Sequence, residues 1–151
     1  AMQPKVALLP GEDGRKKSKS NNNDIPIGAT TQEITEKVQM MVTDPARIKK
    51  TDPGHPEICI VHTYQSIYNV AEVEEIRTDC KSGQIGCVAC KKRLAAVLDT
   101  MLAPLRERRQ YYEDRPELLR EVLQSGAEGA RREASNTLER VKEAMNISLK
   151  I

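Results

Sequence analysis

The chain contains no tryptophan and no phenylalanine, and its four tyrosines bring aromatics to only 3% of 151 residues. A core must therefore be assembled from Leu, Ile, Val, Ala and Met, a composition that favours helices over strands. No apolar run approaches the roughly 18 residues that a membrane-spanning helix needs, which excludes such a span. Nor does a basic segment followed by an apolar stretch open the chain, so no secretory leader is read and a reducing cytoplasm is expected. Charge of one sign is missing as well. With 24 Lys and Arg against 22 Asp and Glu, the net charge of +2 gives no bulk argument for nucleic acid. The length suits one domain with a real core.

Against these absences stand four cysteines: Cys59, Cys80, Cys87 and Cys90, spaced C-x20-C-x6-C-x2-C. Four converging thiolates are enough to close a metal site. Two disulfides are a rival reading, disfavoured by the expected reducing compartment. The plainer rival is a set of free thiols packed as small apolar groups, common for one cysteine and much less so for four within 32 positions. Only Cys87 and Cys90 form the close-set knuckle usual for zinc. The other two come from separate segments, which suits an iron-sulfur cluster at least as well. Tetrahedral thiolate chemistry accepts either metal. A helix beginning at Cys87 would aim its N–H groups and positive dipole end at these sulfurs. Lys81, Lys91, Lys92 and Arg93 add positive charge nearby, or form only a solvated basic face. The expected role is a structural clip, with redox sensing as the alternative.

Residues 1–29, rich in Gly and Pro with an Asn21-Asn22-Asn23 run, read as an extended loop arm, and only Lys5 to Leu9 looks strand-like. Residues 30–151 read as a helical domain. Thr30 and Glu33 are spaced as a capping box, Ile34, Val38, Met41 and Val42 mark one face, and Asp44-Pro45 closes that helix. Pro56 opens a second helix with Cys59 in its first turn and Ile60, Val61, Tyr64, Ile67 and Tyr68 inward. A short third one, using Val70, Val73 and Ile76, delivers Cys80. The steps Leu94, Val97, Leu98, Met101, Leu102 and Leu105 predict a long amphipathic helix from near Cys87, bent at Pro104. Pro116 opens a short helix ended by Ser125-Gly126, and a last one carries Ala127 to Met145. The fold class expected is all-α, a bundle of five to six helices with an extended loop arm.

Gly14-Arg15-Lys16-Lys17-Ser18-Lys19-Ser20 gathers four positive charges and two hydroxyls in a flexible loop able to grip phosphate. A solvated surface is the commoner meaning of such a run. Together with Pro4 to Gly11 before it, the segment resembles the KMSKS loop region of bacterial tryptophanyl-tRNA synthetases. Ile25-Pro26-Ile27, Asp52 to Glu57, Ile85 to Lys92 and Pro104 to Arg109 resemble the carboxy-terminal part of the same family. The likeness covers nearly all of the chain apart from Ala1-Met2. The cysteine array is similar to that of the subset binding a [4Fe-4S] cluster near the anticodon-binding region, with a somewhat shorter first gap.

The resemblance implies that Lys16, Ser18, Lys19 and Ser20 meet ATP phosphates, with Mg, in the intact enzyme. Lys19 is the implied catalytic residue, stabilising charge on departing pyrophosphate. It implies Cys59, Cys80, Cys87 and Cys90 as cluster ligands, zinc being the alternative. The partner implied is tRNA(Trp), its anticodon region met by Lys91, Lys92, Arg93, Arg106, Arg108 and Arg109, with exposed Tyr111-Tyr112 as candidate stacking rings. No Rossmann half, HIGH-type histidine motif or tryptophan pocket is present, so this chain alone is expected to be inactive. The intact enzyme would be a homodimer and this part a monomer. Lys17 stands where the family has methionine, Asn21 where it has tyrosine, and Glu12 where it has an apolar residue. These three changes are expected to make polar a seam exposed by the missing catalytic domain. The competing reading is a metal-stapled interaction or redox module without tRNA binding of its own.

Overall fold

Helix α1 spans Thr31–Met40 because its first turn is doubly capped: Glu33 N donates to Thr30 Oγ1 at 3.2 Å and Thr30 N donates to Glu33 Oε2 at 2.7 Å. Such reciprocal caps satisfy two of the otherwise orphaned first-turn donors. The computed structural model describes residues 9–147. Among them there are five α-helices and no strand, Pro10 and Lys16 forming an isolated bridge. Most of the strand-like Lys5 to Leu9 run lies outside the described residues. None of the described helices is long and apolar enough to cross a membrane.

After α1, Pro56 opens only a 3-10 turn, Pro56–Ile58, and α2 follows as Ile60–Tyr68. The expectation of one helix with Cys59 in its first turn is thus corrected. Cys59 has extended backbone, φ −89° and ψ 120°, and it is the joint between the two. Its N–H bonds back to Pro56 O at 3.2 Å, an i to i+3 closure that stops the first turn from becoming α-helical. Helix α3 is Val73–Lys81, without Val70, which is 69% exposed. The long helix α4 runs Cys87–Glu113 with Pro104 inside it.

The core gathers Ile34 and Val38 of α1, Met41 just past it, Val61 and Tyr64 of α2, and Leu94, Ala95, Leu98 and Leu102 of α4. Each Ile, Val, Leu or Met side chain withdrawn from water here stabilises the fold by about 1.5–3 kcal/mol. Polar links hold the same elements in register. Thr31 Oγ1 donates to Asp99 at 2.8 Å, Arg106 bonds Asp99 at 2.6 Å and the carbonyl of Ala29 at 3.3 Å, and Lys91 Nζ donates to the carbonyl of Gln39 at 2.6 Å. The loop arm belongs to this unit: Tyr64 Oη donates to Pro10 O at 2.7 Å. The chain divides into two compact units between Glu107 and Arg108, a boundary that lies within α4.

In the second unit, α5 is one helix, Pro116–Ala144, where two were expected. Gly126 does not take the positive φ of a helix stop; among the described glycines only Gly14 and Gly83 do. Tyr111 and Tyr112 are 47% and 38% exposed, meet edge to face, and Tyr111 carries the Arg115 guanidinium 4.0 Å from its ring centre.

Candidate cysteine site and lysine-serine loop

All four cysteines line one small cavity together with Thr43, Arg47, Val61, His62 and Ile76. They arrive from three places: Cys59 from the joint before α2, Cys80 from the last turn of α3, Cys87 and Cys90 from the first turn of α4. Two glycines permit the approach. A Cβ on Gly54 would lie 2.6 Å from Cys80 Sγ, and one on Gly83, whose φ is +73°, would lie 2.2 Å from Thr51 O. Among the described residues no three His, Cys, Asp or Glu groups converge on a point that would hold a single ion.

The charge that faces the sulfurs comes from Arg47, a residue without a spacing signal in the sequence. Its Nη1 lies 3.7 Å from Cys80 Sγ and 3.9 Å from Cys87 Sγ, while Nη2 is fixed by the carbonyls of Lys50 and Ile85. Gln65 Nε2 donates to the Cys90 carbonyl at 3.1 Å and points at Cys90 Sγ at 3.8 Å. That one was detectable: an amide four positions from Val61 on an otherwise apolar helix face needs a buried partner. Lys91 and Arg93, expected near the sulfurs or on RNA, are bonded to Gln39 O and to Glu75.

Burial governs the thiols of Cys80 and Cys90. It pushes Cys80 up and Cys90 to about 11, against the lowering effects of Arg47 and Gln65 respectively. Without a metal the Cys80 and Cys90 sulfurs therefore keep their protons at neutral pH. Two polar atoms in the lining are buried without hydrogen-bond partners, Arg47 Nε and His62 Nε2. Burial also lowers the His62 pKa, keeping the ring neutral. Unpaired groups of this kind cost about 1–3 kcal/mol each, a deficit that a polarisable, electron-rich occupant would relieve at the Arg47 Nε–H donor.

Outside the same wall lies a cleft of about 450 Å³ lined by Arg47, Ile48, Lys49, Lys50, Cys87, Val88 and Lys92 among others. Of the six cations expected to meet RNA, Lys92 alone lines it. Arg106 is committed to Asp99 and Ala29 O, and Arg109 to Glu113 at 2.7 Å. Arg108 belongs to the second unit.

The lysine-serine loop alternates in and out. Lys16 and Lys19 are exposed, and Ser18 and Ser20 hydroxyls bond each other at 2.6 Å. Lys17 turns inward, its amine 5.4 Å from the Tyr64 ring centre, and burial lowers its pKa. It thus occupies a half-buried position beside Ile25, Tyr68, Leu98 and Met101, where an apolar side chain would pack. Glu12 is 12% exposed and paired with Lys37 at 3.2 Å. The expectation that Glu12, Lys17 and Asn21 together form an exposed polar seam is corrected: Asn21 alone is fully on the surface.

Comparison with known proteins places this architecture. Residues 1–103 match the family model described as tRNA synthetases class I (W and Y). The chain is 41% identical to the tryptophan–tRNA ligase of Aquifex aeolicus over 96% of its own length and 38% of that protein's. It is 38% identical to the tryptophan–tRNA ligase of Thermotoga maritima over 97% of its length and 45% of that relative's. A crystal structure of tryptophanyl-tRNA synthetase from Campylobacter jejuni complexed with ADP and tryptophan superposes with a TM-score of 0.83 at 25% identity, covering 95% of this chain and 45% of that one. The chain therefore spans less than half the length of these relatives. With the family model running from the lysine-serine loop through all four cysteines to the middle of α4, the chain belongs to the class I tRNA synthetases of the W and Y group.

Proposed function

We propose that this chain is the carboxy-terminal, anticodon-side portion of a tryptophan–tRNA ligase, built around a structural [4Fe-4S] cluster on Cys59, Cys80, Cys87 and Cys90. The observation that carries the reading is the shared wall between the four-cysteine cavity and the lysine-lined cleft, in a chain matched along nearly its whole length by tryptophan–tRNA ligases. The residues fit a cluster. In such a group each thiolate binds a different iron, so the sulfurs need not meet at one point, in keeping with the absence of a single-ion site among the described residues. Arg47 and Gln65 supply the N–H donors, and the orphaned Arg47 Nε gains an electron-rich neighbour. The group, when bound, supplies a covalent clip between α3, α4 and the joint before α2.

RNA would be met in the cleft beside this clip. Lys49, Lys50 and Lys92 take phosphates, while exposed Ile48 and Val88 offer an apolar wall to an unstacked base. In the intact enzyme, Lys16, Ser18, Lys19 and Ser20 face ATP phosphates, and this part alone carries no aminoacylation. The test is binding of a tRNA(Trp) anticodon stem-loop at several salt concentrations. Changing Lys49, Lys50 and Lys92 together to Ala is expected to weaken binding about tenfold or more and flatten the salt dependence. Unchanged affinity and slope would remove RNA from this cleft.

A further inference from the structure

Asn23 is 2% exposed, although it ends a run of three asparagines whose other two members are on the surface. Every polar position of its side chain is used. Nδ2 donates to Asp13 Oδ1 at 2.9 Å and to the Lys16 carbonyl at 3.2 Å, while Oδ1 accepts the Ser18 N–H at 3.0 Å. Its own carbonyl accepts the Glu12 N–H at 3.0 Å. Gly11 backs directly onto it, since a Cβ there would lie 2.4 Å from Nδ2.

These bonds grip the backbone on both sides of Lys17, whose amine is turned onto Tyr64. The flanking Lys16 and Lys19 are left in solvent, without a hydrogen-bond or ion-pair partner among the described residues. Glu12 is paired with Lys37, and Asp13 is a second carboxylate of the loop that would compete for their charge. It is held instead by Asn23 Nδ2 and by the Arg15 N–H at 2.9 Å. The next residue back, Asn22, is tied to α1 through Lys37, which also pairs with Glu12. A flexible loop would lose backbone freedom on meeting a polyanion; this one has lost it already.

We propose that Asn23 is the positioning residue of a polyphosphate-binding loop, its buried amide fixing the backbone around Lys17 so that Lys16 and Lys19 are presented together to phosphate oxygens. The inference rests on reading the loop as a phosphate site, and it assigns the work of presentation to a residue outside the lysine-serine run.

The test is titration of the whole chain with inorganic pyrophosphate, following the amide resonances of residues 16–20 at three salt concentrations. Lys16→Ala with Lys19→Ala should abolish binding. Asn23→Ala should weaken it about tenfold and make it less salt-dependent, because the two cations no longer act together. A variant that merely unfolds in part lowers affinity by the same factor at every salt concentration and leaves the slope alone. Asn23→Asp keeps the acceptor for Ser18 N–H but sets a carboxylate against Asp13 and the Lys16 carbonyl, and it should weaken binding at least as much. Wild-type affinity and slope in both Asn23 variants, or lost affinity with an unchanged slope, would overturn the role of Asn23. A wild-type chain that ignores pyrophosphate, or binds it regardless of Lys16 and Lys19, would overturn the phosphate reading itself and the inference with it.

Discussion

Asp44 is 4% exposed and still ionised, because its carboxylate is surrounded by donors. The His55 ring bonds it at 2.8 Å, and the N–H groups of Ala46 and His55 each donate at 2.9 Å. The histidine bond is the main cause of a lowered Asp44 pKa. Glu33 is lowered likewise, by the Thr30 N–H of the capping box. A carboxylate depressed in the folded state adds stability above its unfolded pKa, near 4, and loses it as pH falls through the folded value. Thermal midpoints should therefore drop on acidification below about pH 4, and Asp44→Asn should make that drop shallower. An identical acid limb in the variant would assign the effect elsewhere. Because Asp44 ties the Asp52 to Glu57 turn to the segment after α1, this ion also holds Gly54 against Cys80.

Among the elements, helix existence was legible wherever an apolar period coincided with a local start signal. Thr30 and Glu33 gave α1, and Leu94, Leu98 and Leu102 gave α4, because caps and facing side chains are local properties. Cys59 was misplaced because closure onto Pro56 and the pull of a distant cavity compete with helix continuation, and neither is visible in spacing. At Ser125-Gly126 the signal was real but weak: glycine ends a helix only if it takes positive φ. The cysteine set was readable as a set, whereas Arg47 was not, since its value comes from a contact 33 positions away. The α5 reading has a direct test. A Cβ on Gly126 or Gly129 meets nothing within 4 Å, so Gly126→Ala and Gly129→Ala should each stabilise the helix by about 0.5–1 kcal/mol. A raised thermal midpoint or increased helicity by circular dichroism checks it; a loss would mean the helix breaks there after all.

For the molecule as a whole, the cysteine cavity joins segments from three places in the chain, so its occupant should govern stability. Anaerobically prepared protein is expected to carry about four iron and four acid-labile sulfide per chain with a broad visible absorption. One zinc and no sulfide would keep the clip and change its metal. Chelation or oxidative loss should lower the thermal midpoint and expose amides of α3 and the first turns of α2 and α4 to hydrogen exchange. Loading should also fail as pH falls, because protons held by buried Cys80 and Cys90 must leave before a metal can bind. Protection that is the same with and without metal would reduce the four sulfurs to packing groups.

The polar links that hold α1 to α4 have a consequence for how the chain comes together during synthesis. Thr31 waits for Asp99, 68 residues later, and Ala29 waits for Arg106, 77 residues later. Pro10 likewise waits 54 residues for Tyr64. Contacts of such sequence separation pay for closing long loops before they return any stabilisation. Emerging in chain order, the lysine-serine loop and α1 leave the ribosome before α2 and α4, the helices they respectively bond to, exist. The lysine-serine loop and α1 are thus made before their docking surfaces and reach their final packing only once those helices have followed.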